Sequence, residues 1–234
     1  MRTVMQANDL WKLYPSGEST IQAVKGVTLD VSEGEVIAIM GPSGCGKTTL
    51  LNVLSGIDEP TSGGVMLDGK PLFGITDDER SRMRAENLGF IFQDFNLLPV
   101  LSAVENVELP LLMLGKPAAQ ARETAHEALT AVGLGDRSSH RPSELSGGQQ
   151  QRVAIARAIV HSPSVILCDE PTGNLDSGTS ETVMQLLKSI NKKLGTTFLL
   201  VTHDSDVAQQ CSRILRMEDA VSYTHLTLPT RLPV

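Results

Sequence analysis

The chain has 234 residues, 41% of them hydrophobic and 20% charged, an ordinary globular composition that excludes disorder and fibrous repeats. A formal net charge of -7 argues against a broad nucleic-acid footprint, because phosphate backbones are bound by basic faces. Three cysteines without paired spacing (Cys45, Cys168, Cys211) argue against both a disulfide framework and a zinc site.

Strand-like runs alternate with helix-period segments, the pattern of an α/β fold with a largely parallel sheet. The first residues lack the apolar stretch of a signal peptide, and no apolar run approaches the ~18 residues of a membrane span. Strands are predicted at 27–31 and 35–40, then a glycine-rich loop and a helix over 49–54 stopped by Gly56. A third strand is predicted at 88–93. Between Gln93 and Ser146 no strand is legible: 107–114 is apolar but broken by Pro110, and 118–132 reads as an Ala-rich helix ended by Gly133. This predicts a helical subdomain over about 94–159, inserted into a core made of 1–93 and 160–219. A helix over 150–161 is followed by a strand at 165–168. A long amphipathic helix is predicted from Gly178 to Leu194, with Val183, Leu186, Leu187, Ile190 and Leu194 on one face and Gly195 as its left-handed cap. Strands at 197–202 and 214–217 complete the core. Residues 220–234 show no periodicity and read as a tail outside the fold, either non-native sequence of the kind translated from an adapter or a poorly ordered end.

The loop Gly41, Pro42, Ser43, Gly44, Cys45, Gly46, Lys47, Thr48 fits G-x-x-x-x-G-K-[ST] between a strand and a helix. Glycines let successive N–H groups turn inward around a phosphate, and the following helix adds its positive end. Lys47 would reach the β- and γ-phosphates, and the Thr48 hydroxyl would ligate Mg²⁺. Cys45 and Thr49 read as packing variants in this nucleotide-binding loop.

The strand at 165–168 runs into Asp169 and Glu170. An Asp at the end of a strand suits Mg²⁺, and Glu170 suits proton abstraction from an attacking water. A second glycine motif, Leu145, Ser146, Gly147, Gly148, Gln149, opens a helix and forms another anion site. One nucleotide needs one cradle. Two such loops in one chain point to a head-to-tail dimer in which each ATP is held by the first loop of one copy and the second loop of the other.

Together these motifs resemble the ATPase subunit of an ATP-binding cassette (ABC) transporter, over about residues 5–217. The resemblance implies a P-loop NTPase core with a mostly parallel sheet, an inserted helical subdomain and N-terminal antiparallel strands. It implies that Gln93 senses Mg²⁺ and the membrane partner, that Asn174, Leu175 and Asp176 form a loop contacting the second copy, and that His203 contacts the γ-phosphate. Tyr14 takes the adenine-stacking position, with Trp11 as the alternative ring. The implied sets are Glu170, His203 and Gln93 for catalysis, Thr48, Gln93 and Asp169 for the metal, and Ser146, Gly147, Gly148, Gln149 and Asp176 for contact in trans.

The segments Asp169-Glu-Pro-Thr-Gly-Asn-Leu-Asp-Ser177 and Phe90-Ile-Phe-Gln-Asp-Phe-Asn-Leu-Leu-Pro99 are similar to the macrolide-export and lipoprotein-release branch. That branch implies ATP and Mg²⁺, a homodimer formed on ATP binding, an integral membrane permease as partner, no nucleic acid, and residence at the cytoplasmic face of the inner membrane. The alternative is a regulatory ABC ATPase of a membrane complex, of the cell-division type, with little transport role. Phe95, Leu97, Leu98 and Leu101 are candidates either for the floor of a permease-docking groove or for subdomain core.

Overall fold

The computed structural model describes residues 2–17 and 19–225. They form two compact units, 2–75 together with 197–225, and 76–196.

The first unit opens with two long antiparallel strands, β1 (Thr3–Ser16) and β2 (Ser19–Ser32). In β2, Val27, Leu29 and Val31 are buried while Thr28 and Asp30 are exposed, the period-2 alternation of a half-covered sheet. In β1 that alternation breaks at Asp9, which takes φ 45° where the register with β2 shifts. The next strand, β3 (Val36–Met40), buries Ile37, Ala38 and Ile39 in a continuous apolar run, as a strand covered on both faces must. Each large side chain so buried contributes about 1.5–3 kcal/mol of transfer free energy. The loop after β3 leads into α1 (Lys47–Leu54), then β4 (Ser62–Leu67), antiparallel to β1, and the short β5 (Lys70–Pro71) beside β4.

The second unit starts with α2 (Asp77–Asn87), nucleated by a capping box between Thr76 and Glu79. The chain continues through β6 (Leu88–Phe92) into α3 (Ala103–Met113), where Ser102 and Glu105 form a second capping box. Pro110 lies inside α3 rather than ending it. Next come α4 (Ala118–Ala131) and α5 (Gly147–Ile159). A bidentate ion pair from Arg122 to Glu108 joins α4 to α3, at 2.5 and 2.8 Å. The unit closes with β7 (Val165–Asp169), parallel to β6, and α6 (Ser177–Leu194). Gly195 ends α6 at φ 67°, as its cap position requires. Val183, Leu187 and Ile190 on its expected stripe are buried, whereas Leu194 in the last turn is 65% exposed. No strand lies between 93 and 146 among the described residues. The compact units divide at 75/76 and 196/197.

The chain returns to the first unit as β8 (Thr197–Thr202), α7 (Ser205–Gln209), β9 (Arg213–Glu218) and β10 (Val221–His225). β3 pairs in parallel with both β8 and β9. Residues expected to lie outside the fold thus begin inside it. Asp219 and Ala220, at φ 48° and 67°, make a two-residue turn whose twist suits a hairpin, and β10 pairs antiparallel with β9 across it. The turn carries no glycine, so the sequence gives no hairpin signal there. Residues 226–234 lie outside the described residues.

Candidate functional site

In the first unit, the strand register sets the site. Met40 at the end of β3 pairs with Thr202 at the end of β8, so Gly41 and His203 emerge side by side from the carboxyl ends of adjacent parallel strands. Ligands of open α/β sheets gather at these ends.

The loop that follows β3 is packed closely enough to need its glycines. A Cβ on Gly41 would lie 2.1 Å from the Met217 carbonyl oxygen, and one on Gly46 would lie 2.0 Å from that of Ala23. Gly46 also holds φ 98° as the residue before α1, and no side chain caps that helix. The first-turn N–H groups of α1 are therefore presented to an incoming anion. Lys47 is buried at 6% exposure and donates to the carbonyls of Gly41 and Pro42 at 2.8 and 2.7 Å. Its ammonium is thereby held inside the loop. Cys45 is buried beside it, and Thr48 is exposed. Pro42, Ser43, Gly44 and Cys45 face Ile21, Ala23 and Lys25 across a cavity of about 450 Å³.

The two aromatic candidates separate clearly. Trp11 donates its ring N–H to Asp9 at 2.9 Å, and a Cβ on Gly26 would lie 3.5 Å from the indole, so this ring belongs to the strand surface. Tyr14 is the more open ring. Its hydroxyl donates to Asp58 and also bonds the Thr49 side chain in the first turn of α1, and the Lys12 ammonium sits 4.9 Å from its ring centre. Burial together with the Asp58 hydrogen bond and charge pushes the Tyr14 phenol up, so the ring stays neutral. Burial works against ionisation of Asp58, yet hydrogen bonds from Lys12 and Tyr14 outweigh it and hold the carboxyl below its usual range.

In the second unit the same logic applies. Phe92 pairs with Asp169 at the ends of β6 and β7, so Gln93 and Glu170 leave adjacent parallel strands at their carboxyl ends. Glu170 takes φ 47°, a left-handed conformation rare for a side chain of this size, which turns it off the line of β7 directly after Asp169. Gln93 donates through Nε2 to Asn174 Oδ1 at 2.9 Å, and Asn174 returns bonds to the Gln93 carbonyl and to Asp94.

Ser146 caps α5 in a capping box with Gln149, so the helix begins three residues before its predicted start. Ser146 is exposed, and Gly147, Gly148 and Gln149 are half-buried. Ser146, Gly148 and Gln149 share an open depression of about 370 Å³ with Asp176, Gly178 and Thr179. A Cβ on Gly148 would lie 2.5 Å from Thr179 Cγ2, which explains the glycine there. Asp176 caps α6, and hydrogen bonds from the Thr179 hydroxyl and N–H hold its carboxyl below the usual range.

Residues 24–173 match the family model described as ABC transporter. This chain belongs to the ABC transporter family. A Thermotoga maritima ABC transporter ATP-binding protein is 47% identical over 219 residues, covering 94% of this chain and 93% of its own length. The macrolide export ATP-binding/permease protein MacB of Syntrophobacter fumaroxidans is 48% identical over 220 residues; the match takes in 93% of this chain and 31% of MacB. Among solved structures, the ATP-binding cassette MJ0796, seen as a dimer in a post-hydrolysis state with ADP and Pi, superposes with a TM-score of 0.87. It is 44% identical, with 95% of this chain and 98% of that chain covered. The chain therefore has the α/β P-loop NTPase fold of ABC cassettes and is an ABC-type ATPase, converting ATP and water to ADP and phosphate.

A further surface of this ABC cassette lies wholly within the second unit. Phe90 and Phe92, stacked at 5.8 Å, join Pro110, Met113, Arg84, Arg157 and His161 around a cavity of about 470 Å³. Phe95, Leu97, Leu98 and Leu101 are not among its walls. Phe95 instead lies close to Gly147, where a Cβ would be 3.7 Å from its ring. Two residues that sequence reasoning missed shape this region. Arg157 donates to the carbonyls of Asn96 and Phe95, and burial pulls its basicity down. Asn106, fully buried, accepts from the Leu98 N–H and donates to the carbonyls of Leu98, Leu101 and Ser102, which fixes the loop before α3. Burial also lowers the His161 pKa, partly offset by the Leu88 carbonyl, so the ring is neutral where it faces the groove.

Proposed function

We propose that two copies of this chain close head to tail over two ATP molecules, and that closure drives a separate membrane permease of the macrolide-export or lipoprotein-release type. One observation carries the shared-site reading: Ser146 stands at the surface, and Ser146, Gly148 and Gln149 line an open depression. The cap uses a lone pair of the Ser146 hydroxyl, so its O–H is not spent there and suits a phosphate oxygen. The N–H groups of Gly147 and Gly148 occupy the first turn of α5, where a helix has no intrahelical acceptors. The dimer reported for MJ0796 supports the arrangement.

Within this reading Lys47 and the loop N–H groups hold the β- and γ-phosphates, and Tyr14 rather than Trp11 stacks on adenine. Thr48, Asp169 and Gln93 supply oxygen donors of the kind Mg²⁺ takes. Gln93 fits because its amide nitrogen is committed to Asn174, which leaves its oxygen as the ligand. When bound, the ion neutralises charge on the phosphates. Glu170 accepts a proton from water as the water oxygen attacks the γ-phosphorus, and the bond to the β,γ-bridging oxygen breaks. His203 and Asp176 contribute γ-phosphate and cross-copy contacts. Closure is a population shift, because only the triphosphate bridges both copies.

No helix of the described residues is long and apolar enough to cross a membrane. In this reading, attachment to the inner membrane's cytoplasmic face runs through the permease. The cavity between Phe92, Pro110 and Met113 is the surface that would receive it. The similarity to MacB supports the export branch.

Ser146→Arg is the decisive variant. It is expected to keep ATP affinity in the isolated subunit and to lower turnover at least tenfold, measured as steady-state phosphate release. Wild-type turnover in Ser146→Arg would reduce the motif to a helix cap.

A further inference from the structure

Gln151 lies on α5, five residues beyond the Ser146 cap, and is fully buried. Its side-chain N–H donates to the carbonyl oxygen of Pro171, the residue directly after Glu170. Its own Oε1 is buried without a hydrogen-bond partner. A half-satisfied amide in the interior is an expensive way to fill space, and an aliphatic side chain of this length would pack there without that cost. What the amide provides is a fixed point on a strained turn. Glu170 sits at φ 47°, and the turn otherwise closes through the Gly173 N–H to the Glu170 carbonyl, at 3.0 Å. A left-handed glutamate persists only where its surroundings over-determine it.

We infer that Gln151 is a positioning residue for hydrolysis, holding the Pro171 carbonyl so that the Glu170 carboxylate keeps its orientation toward water. It rests on the proposed roles of Glu170 and of the Ser146 turn, and adds a mechanical link between them. The same short helix begins at the turn that meets the partner's γ-phosphate and, little more than one helical turn later, grips the backbone beside the proton acceptor. A displacement of α5 on dimer closure is thereby transmitted to Glu170 within one subunit.

The test uses the full chain. Gln151→Met keeps length and volume and removes the donor; Gln151→Asn keeps an amide too short to reach Pro171. Both are expected to lower kcat at least tenfold while the Kd for ATP and the KM change less than threefold. Hydrogen exchange at the Gly173 amide should accelerate in both, with amides in the middle of α5 unchanged. In a double-mutant cycle, adding Gln151→Met to Glu170→Gln should lower the residual single-turnover rate less than threefold, because the group it positions is already gone. Multiplicative losses, or kcat within twofold of wild type in either variant, would overturn the inference. Loss of ATP binding or of folding in both variants would also overturn it, since that marks Gln151 as a packing residue. If Glu170→Gln alone left turnover intact, the catalytic reading of Glu170 would fail instead, and the two failures are thus distinguishable.

Discussion

Glu170→Gln is expected to lower ATP turnover by about 10²–10⁴-fold, the range attributable to a positioned general base, with ATP affinity essentially preserved. The reason is local. β7 ends at Asp169, and the left-handed backbone of Glu170 turns off the strand line that Asp169 follows. The amide of glutamine fits the same turn and keeps its size, but it does not accept the proton that water must lose. Binding and hydrolysis are therefore separable at this one position. Nucleotide titration beside a phosphate-release assay would show the split. A matching loss of affinity would mean that Glu170 holds the nucleotide instead.

The second large effect is the opposite split. Lys47→Ala is expected to weaken ATP binding by about 10–100-fold, the equivalent of one charge-assisted hydrogen bond at roughly 1.5–3 kcal/mol. Lys47 is already desolvated and held by the carbonyls of Gly41 and Pro42, so its ammonium is placed for phosphate with little further ordering. The same truncation leaves those two carbonyls without their donor, and part of the loss will come from a looser loop. Equilibrium titration with a fluorescent ATP analogue, read beside the melting temperature, separates the two contributions. Unchanged affinity would remove Lys47 from the phosphate site.

Much of this was open to sequence reasoning because the chemistry is local. The loop from Gly41 to Thr48 is one contiguous motif, and the strands that carry Gly41, Gln93, Glu170 and His203 are apolar runs whose ends are easy to mark. The parallel pairing of Met40 with Thr202, and of Phe92 with Asp169, converts those ends into neighbours. Other features depend on contacts far apart in the chain. β1 hides because a bulge at Asp9 breaks its alternation, and α2 hides because none of its residues is buried. Gln151 and Asn106 are polar residues whose partners are carbonyls on other segments, so no periodicity announces them. β10 carries no sequence signal because its hairpin turn uses Asp219 and Ala220 in the left-handed region without a glycine. From the sequence, Phe95 and its neighbours read equally as groove floor or as subdomain core, because they are apolar and close to Gln93. In the fold, a pair of left-handed residues, Phe95 and Asn96, redirects the chain, and Phe90, Phe92 and Met113 line the cavity of the second unit.

The shared-site mechanism stands or falls with the mass of the ATP-loaded protein. Light scattering coupled to gel filtration, run on Glu170→Gln with and without ATP and Mg²⁺, should give a monomer without nucleotide and a dimer with it. Adding Ser146→Arg to the same variant should return the ATP-bound sample to a monomer. A Glu170→Gln protein that binds ATP and stays monomeric, or a dimer indifferent to Ser146→Arg, would contradict a nucleotide clamped between two copies.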